Sequence, residues 1–262
     1  MHITVCIKQV PAISEIEINK ETNNLVRVGA PSMINPADKN AVEEALTLKQ
    51  AYGGTVTVIT MGRMEATEIL RDCISIGADK GYIINDDTIA GSDTLATGYV
   101  LAETIKKLGG ADVVLCGKQA YDGYTGQVGP AIAERLGFVQ LTNVQKLDLT
   151  DDIVTVERLN NSGLETIQAK LPVLCTVIEN CNTPRNPTVK ARMAAKKAEF
   201  EVLTTKNLGL DLARIGVKGS ATSVVEIFPP MPRETGVLIQ EAADETSARK
   251  LMEILIKEKL IG

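Results

Sequence analysis

The amino-acid sequence predicts an α/β fold: a parallel sheet between two layers of helices, extended by a β-hairpin and a C-terminal helical arm. Three observations predict it. Short runs rich in Val, Ile, Leu and Thr alternate with helix-period apolar stripes through the first two-thirds of the chain, and parallel strands need such crossovers. One segment switches to period-two alternation about a turn signal. A last amphipathic stripe stands alone behind a proline-bearing stretch.

The predicted strands lie at 3–7, 55–60, 82–84, 113–116 and 173–177, each apolar enough to be buried on both faces. The first helix is expected after Asn35-Pro36, with Asn35 as the capping side chain, Pro36 at the first helical position and Asp38 in the first turn. Its stripe, Ala41, Val42, Ala45, Leu46 and Lys49, runs to Gly53. A second helix places Ala66, Ile69, Leu70, Cys73 and Ile74 on one face and stops at Gly77. The third starts at Asp93 and stops at Gly109, and the fourth carries Val128, Ile132 and Leu136 and stops at Gly137. Segments 153–158 and 165–170 alternate around Asn160-Asn161-Ser162-Gly163, a hairpin signature. After Glu199 the periodicity fades. The stretch 216–236, with Gly219, Ser220, Pro229, Pro230 and Pro232, has a linker composition, and 246–260 reads as a final amphipathic helix. The expected division is therefore residues 1–215 as a nucleotide-binding α/β domain and 216–262 as linker and arm, the arm seeking another surface.

Composition removes several functions. A net charge of −5 gives no global field toward nucleic acid. No apolar run approaches the ~20 residues that span a bilayer, and the start, MHITVCIKQV, lacks a secretory leader pattern, so a cytoplasmic location is expected. His2 is the only histidine, which excludes His-based triads and multi-histidine metal sites. The five cysteines are scattered without a C-x-x-C pair, and most of them read as buried hydrophobes. No catalytic side chain and no metal are expected, so redox work would fall to a bound cofactor.

The most informative stretch runs from Gly117-Lys118-Gln119-Ala120 through Tyr121, Asp122, Gly123, Tyr124, Thr125, Gly126 and Gln127 to Val128-Gly129-Pro130. It follows a strand and opens a helix. Its glycines let backbone amides approach a ligand, and the helix start presents free N–H groups. Thr125 adds a hydroxyl and Lys118 a charge. A phosphate or pyrophosphate suits such a loop at the carboxyl end of a parallel sheet, although the same glycines also suit a turn that binds nothing. Neither G-x-G-x-x-G nor a Walker pattern is present. Two further strand exits, at Lys8-Gln9 and Met61-Gly62, open on the same side. With them, Cys6 and Met61 backbone groups and the Asn35 and Asp38 side chains are candidates to read an adenine edge and ribose hydroxyls.

At these residues the chain resembles the electron-transfer flavoprotein beta subunit. The matching segments are Val5-Cys6-Ile7-Lys8-Gln9-Val10-Pro11, Asn35-Pro36 with Ala41-Val42-Glu43-Glu44-Ala45-Leu46, Gly117-Lys118-Gln119-Ala120 through Gln127-Val128-Gly129-Pro130, Leu171-Pro172, Pro184-Arg185 and the Lys196-Lys197 region. The hairpin departs: Asn161 and Ser162 stand where the family usually has acidic residues, and Cys175 replaces an aliphatic residue. The resemblance implies a Rossmann-like three-layer fold similar to adenine-nucleotide hydrolases, and an alpha subunit that holds one FAD. It also implies nucleotide contacts at Cys6, Lys8, Asn35, Asp38, Met61, Gly117, Lys118, Gln119, Asp122, Gly123, Thr125, Gly126, Gln127 and Val128. The guest is AMP in ordinary carriers and a second FAD in the electron-bifurcating branch of anaerobes.

Here the loop Asp122-Gly123-Tyr124-Thr125-Gly126-Gln127 and the segment Gly91-Ser92-Asp93-Thr94-Leu95-Ala96-Thr97 look like the bifurcating branch, and Gly123 and Gly126 leave room for a diphosphate. The resemblance then implies that NADH delivers a hydride to this FAD. One electron goes to the alpha-subunit FAD and a flavin-dependent dehydrogenase, the other to ferredoxin or flavodoxin. The segment Asn182 to Met193 resembles the family's recognition loop for partner dehydrogenases, with Val189 at the position of an apolar residue that inserts into the partner. A solvated, proline-stiffened basic loop is the alternative.

Overall fold

Five strands that are apolar on both faces form the middle of a nine-stranded sheet in the computed structural model, which describes residues 1–12, 32–226, 228, 231, 236–240 and 244–261. They are β1 (His2–Ile7), β4 (Thr55–Met61), β5 (Lys80–Ile84), β6 (Val113–Gly117) and β10 (Val173–Val177). The remaining strands of the sheet are β7 (Val139–Thr150), β8 (Ile153–Asn160), β9 (Gly163–Lys170) and β11 (Glu201–Leu203). A separate antiparallel pair joins β2 (Gln9–Pro11) to β3 (Ser32–Ile34). The crossovers carry α1 (Pro36–Tyr52), α2 (Thr67–Ile76), α3 (Thr94–Lys107) and α4 (Val128–Leu136). Later come α5 (Val189–Ala195), α6 (Thr205–Leu208), α7 (Gly216–Gly219) and α8 (Asp244–Lys257).

The strand order is β11-β5-β4-β1-β6-β10-β7-β8-β9. All neighbours are parallel except β7–β8 and β8–β9, which form the antiparallel extension. The chain moves outward from β1 through α1 to β4 and α2 to β5, then returns by α3 to β6 on the other flank of β1. The topological switch point thus lies between β1 and β6, where Cys6 stands opposite Cys116. In such sheets ligands bind outside the carboxyl ends of the strands at this point.

Period-two alternation splits the core into two layers. Ile3, Val5, Ile7, Val56, Val58, Val113 and Leu115 pack against Ala41, Val42, Leu46, Ile69 and Leu70 of α1 and α2. Cys6, Ile59, Val114 and Cys116 face Val100, Ile105, Ile132 and Ala133 of α3 and α4. Each fully buried branched side chain removes enough apolar surface to contribute about 1.5–3 kcal/mol, which is why the sheet needs helices on both faces.

Three sequence expectations are corrected. Asn35 precedes α1 but makes no capping bond; its side chain is used elsewhere. The expected hairpin is present as β8 and β9, but it is preceded by twelve-residue β7, whose polar alternation hides a strand. The region after Glu199 is not irregular: β11 adds to the sheet edge beside β5, and α6 and α7 follow.

The chain divides into two compact units, Met1–Val225 and Glu226–Gly262. Residues 216–222 belong to the first. The Gly216 amide donates to Ser92 Oγ, and the amides of Ala221 and Thr222 donate to Asp93 Oδ2. Asp93 also caps α3 through the amides of Leu95 and Ala96. Pro229, Pro230 and Pro232, assigned to a linker by composition, lie outside the described residues. In the second unit α8 carries the Leu251, Met252 and Ile256 stripe. Among the described residues no helix is long and apolar enough to cross a membrane.

Candidate functional site

The switch point is closed from below by the start of α1. Asp38, buried, accepts the Lys8 amide at 2.8 Å on one carboxylate oxygen and the Gly117 amide at 2.9 Å on the other. One side chain thereby ties the exits of β1 and β6. Burial pushes its carboxyl up to about 6, against the opposing pull of Asn35, the two amides and the Lys8 charge. Gly117 is required at this contact, since a Cβ there would lie 2.4 Å from Asp38 Oδ1 and 2.7 Å from the Ala37 Cβ. Its role is close packing of the loop on α1.

Asn35 performs the second fastening. Its Nδ2 donates to the Gln119 carbonyl at 3.0 Å, and its Oδ1 accepts the Tyr121 amide at 2.9 Å. It is 1 % exposed, so both bonds are shielded from water. A third tie crosses the surface: Lys8 Nζ meets Asp122 Oδ1 at 2.7 Å. Being solvent-exposed, this pair contributes at most about 1 kcal/mol, but it sets the loop beside the β1 exit and neutralises Asp122.

Beyond these ties the loop is open. The Tyr124 amide donates to Ala120, and the first helical bond runs from Ala131 to Gln127. Among the described residues, the amides of Gly123, Thr125, Gly126, Gln127, Val128 and Gly129 have no partner. Gly126 holds a left-handed φ of 64°, and a Cβ on Gly123 would meet nothing within 4 Å. No side chain caps α4: Gln127 instead accepts the Thr94 hydroxyl at 2.7 Å through Oε1, which ties the start of α3 to the start of α4. Unpaired amides at a helix N-terminus, with Lys118 exposed nearby, have the chemistry to accept an anion.

The structure brings most of the predicted residues to one edge of the sheet. Cys6 is buried in β1, and burial raises its thiol far above the usual range, so it is an apolar wall residue. Met61 ends β4 two strands from β6, half-buried, on the same edge. Gln119 is tethered by its carbonyl, whereas Lys118, Thr125 and Val128 remain partly or fully exposed. Asn35 and Asp38 shape the mouth, each with its side-chain oxygens engaged by backbone amides. Thr94, part of the segment 91–97 but not of the candidate site, joins the mouth through its bond to Gln127, which spans 33 residues and has no local signal.

Val189 stands apart from this mouth. It opens α5, where Thr188 Oγ1 caps the helix by accepting the Ala191 amide, and it is 82 % exposed. Met193, one turn on, is also exposed. The preceding segment is fastened to α1: Arg185 makes bidentate bonds to Glu43 at 2.7–3.1 Å, and Asn182 exchanges hydrogen bonds with Asn40.

With this geometry in place, residues 22–208 match the electron transfer flavoprotein domain. The chain belongs to the electron transfer flavoprotein family. It is 41 % identical to the electron transfer flavoprotein subunit beta of Megasphaera elsdenii over 270 positions, covering all of both chains. It is 45 % identical to the subunit beta of Thermoanaerobacterium thermosaccharolyticum over 237 positions, 90 % of this chain and 91 % of the other. It is also 39 % identical over 262 positions, the whole of both, to subunit CarD of a caffeyl-CoA reductase-Etf complex from Acetobacterium woodii. Within the electron transfer flavoprotein family the likeness therefore runs to beta subunits over the full chain, and the nine-stranded sheet agrees with the fold expected of them.

Proposed function

We propose that this chain is the beta subunit of a heterodimeric electron-transfer flavoprotein. In this reading it holds an FAD at the mouth between β1 and β6, draws electrons from NADH and divides them between two acceptors. The observation that carries the reading is the set of unpartnered amides at Gly123 and from Thr125 to Gly129, beside open space at Gly123.

The residues present fit a dinucleotide diphosphate. The acidic groups near the mouth are engaged, Asp122 by Lys8 and Asp38 by two amides, so the local field is set by N–H groups and by Lys118. Gly123 and Gly126 keep the loop free of side chains where a second phosphate needs room, which favours FAD over AMP. When bound, the flavin would supply the redox chemistry of a two-electron acceptor and one-electron donor. The chain's own part is to bind and orient. Asn35 and Asp38 hold the loop so that its amides cost no reorganisation when phosphate arrives, and the buried Cys6–Cys116 wall keeps water from the floor.

The acceptors in this proposal are the alpha-subunit FAD, leading to a flavin-dependent dehydrogenase, and ferredoxin or flavodoxin. Exposed Val189 and Met193 on α5, flanked by Lys190 and Arg192, form the docking point for the dehydrogenase. Cofactor extraction from the purified heterodimer tests the reading. Two FAD per heterodimer and rapid bleaching of flavin absorbance by NADH are expected. One FAD with one AMP, and no reduction by NADH in stopped flow, would replace it by a carrier with structural AMP.

A further inference from the structure

The chain has five tyrosines, three phenylalanines and no tryptophan. Two of the tyrosines meet on the nucleotide loop: the rings of Tyr121 and Tyr124 stand 5.7 Å apart, tilted by 44°. They are 43 % and 59 % exposed, whereas Tyr99 is buried under the Arg214 guanidinium. Tyr124 also holds a left-handed φ of 51°, a conformation that costs a non-glycine residue about 1 kcal/mol or more. Its ring meets that of Tyr121 and leaves more than half of the residue's surface in solvent.

The backbone that carries both rings is nonetheless held in place. The Tyr121 amide is fixed on Asn35 and the Tyr124 amide on Ala120, and between them Asp122 is pinned to Lys8. Unpartnered amides flank Tyr124, at Gly123 and from Thr125 to Gly129. We propose that Tyr121 and Tyr124 form a ring platform that stacks a flat heteroaromatic ring of the nucleotide whose phosphates the following amides hold. This rests on the nucleotide reading above and deepens it, assigning ring recognition to two side chains and phosphate recognition to backbone. Tilted rings offer a planar guest one face and one edge, an arrangement aromatic groups favour.

The test uses the heterodimer stripped of nucleotide and titrated with FAD and with AMP. Replacing both tyrosines, Tyr121→Leu with Tyr124→Leu, keeps apolar bulk and a β-carbon at the strained position, so melting temperature and subunit association should not change. Loss of stacking should raise the dissociation constant about five- to a hundredfold, and Tyr121→Phe with Tyr124→Phe should restore it, since the ring face and not the hydroxyl does the binding. Weakening of FAD alone supports stacking of the isoalloxazine; weakening of both ligands supports stacking of adenine. Unchanged constants in the leucine pair overturn the platform and leave the nucleotide site standing. Absence of binding by the unmodified complex overturns the site itself.

Discussion

Asp38 offers a direct measurement of what the mouth costs the fold. Its carboxyl titrates near 6 in the folded chain against an ordinary 3.8, because burial disfavours the charged form. A raised folded pKa means the native state binds the proton more tightly than the unfolded state. Stability is therefore fully present below about pH 4 and is lost as pH rises through 6. Two pK units correspond to about 3 kcal/mol, roughly half of it lost by pH 5 and the rest by pH 8. Asparagine is close in shape to protonated aspartic acid, with one oxygen acceptor and one donor group, and it carries no charge at any pH. The Asp38→Asn variant should match the unmodified protein near pH 4 and exceed it by up to about 3 kcal/mol at pH 8, less the loss of one amide partner worth about 1–3 kcal/mol. The difference between the two pH profiles, read from urea unfolding at fixed protein concentration, isolates this one group from every other carboxylate. The same substitution should weaken nucleotide retention, because Lys8 and Gly117 no longer share a common acceptor. Parallel pH profiles would refute the argument, as would a gain in stability with retention intact.

Other perturbations follow from single contacts. Gly117→Ala places a methyl group against the Asp38 carboxylate and the Ala37 side chain at 2.4 and 2.7 Å, so a loss of about 1–3 kcal/mol is expected in thermal unfolding. Arg185→Ala leaves Glu43, 8 % exposed, with the residue-185 amide but no opposite charge, which should cost up to about 3 kcal/mol and loosen the segment before α5; Glu43→Gln in the same chain should recover part of that loss. Val189→Ala should leave unfolding unchanged within about 0.5 kcal/mol, as befits an exposed side chain, while slowing electron delivery to the dehydrogenase with flavin content intact. Unchanged transfer kinetics would remove α5 from the docking surface.

How much of this was legible depends on whether the signal is local. β1, β4, β5, β6 and β10 are apolar on both faces, so composition alone marks them, and Gly53, Gly77 and Gly137 mark where three helices stop. β7 escaped because only Leu141, Val144, Leu147 and Leu149 of its twelve residues are buried, and a bulge near Val144 breaks the alternation. β2, β3 and β11 are three residues each, too short to show a period. At the site, the glycine loop was legible because a strand, glycines and a helix start are consecutive. The work of Asn35 was not: its partners lie 84 and 86 residues away, and an asparagine before Pro36 has a sufficient local explanation as a cap.

That misreading points to how the mouth divides its labour. Each side chain that the sequence offers as a ligand contact at the start of α1 is already engaged by loop backbone: Asn35 by Gln119 and Tyr121, Asp38 by Lys8 and Gly117. The groups left without partners are main-chain amides, which recur in every loop and become a site only when held in one arrangement. A buried carboxylate is an expensive way to hold them, since it costs about 3 kcal/mol near neutral pH, and a neutral side chain of the same shape would be easier to bury. What the charge provides is two acceptor oxygens for two amides on different strand exits, which no neutral residue of that size supplies. The retained charge therefore belongs to the geometry of the two strand exits and not to the stability of the sheet. On that ground stability and nucleotide retention should move in opposite directions when Asp38 is changed.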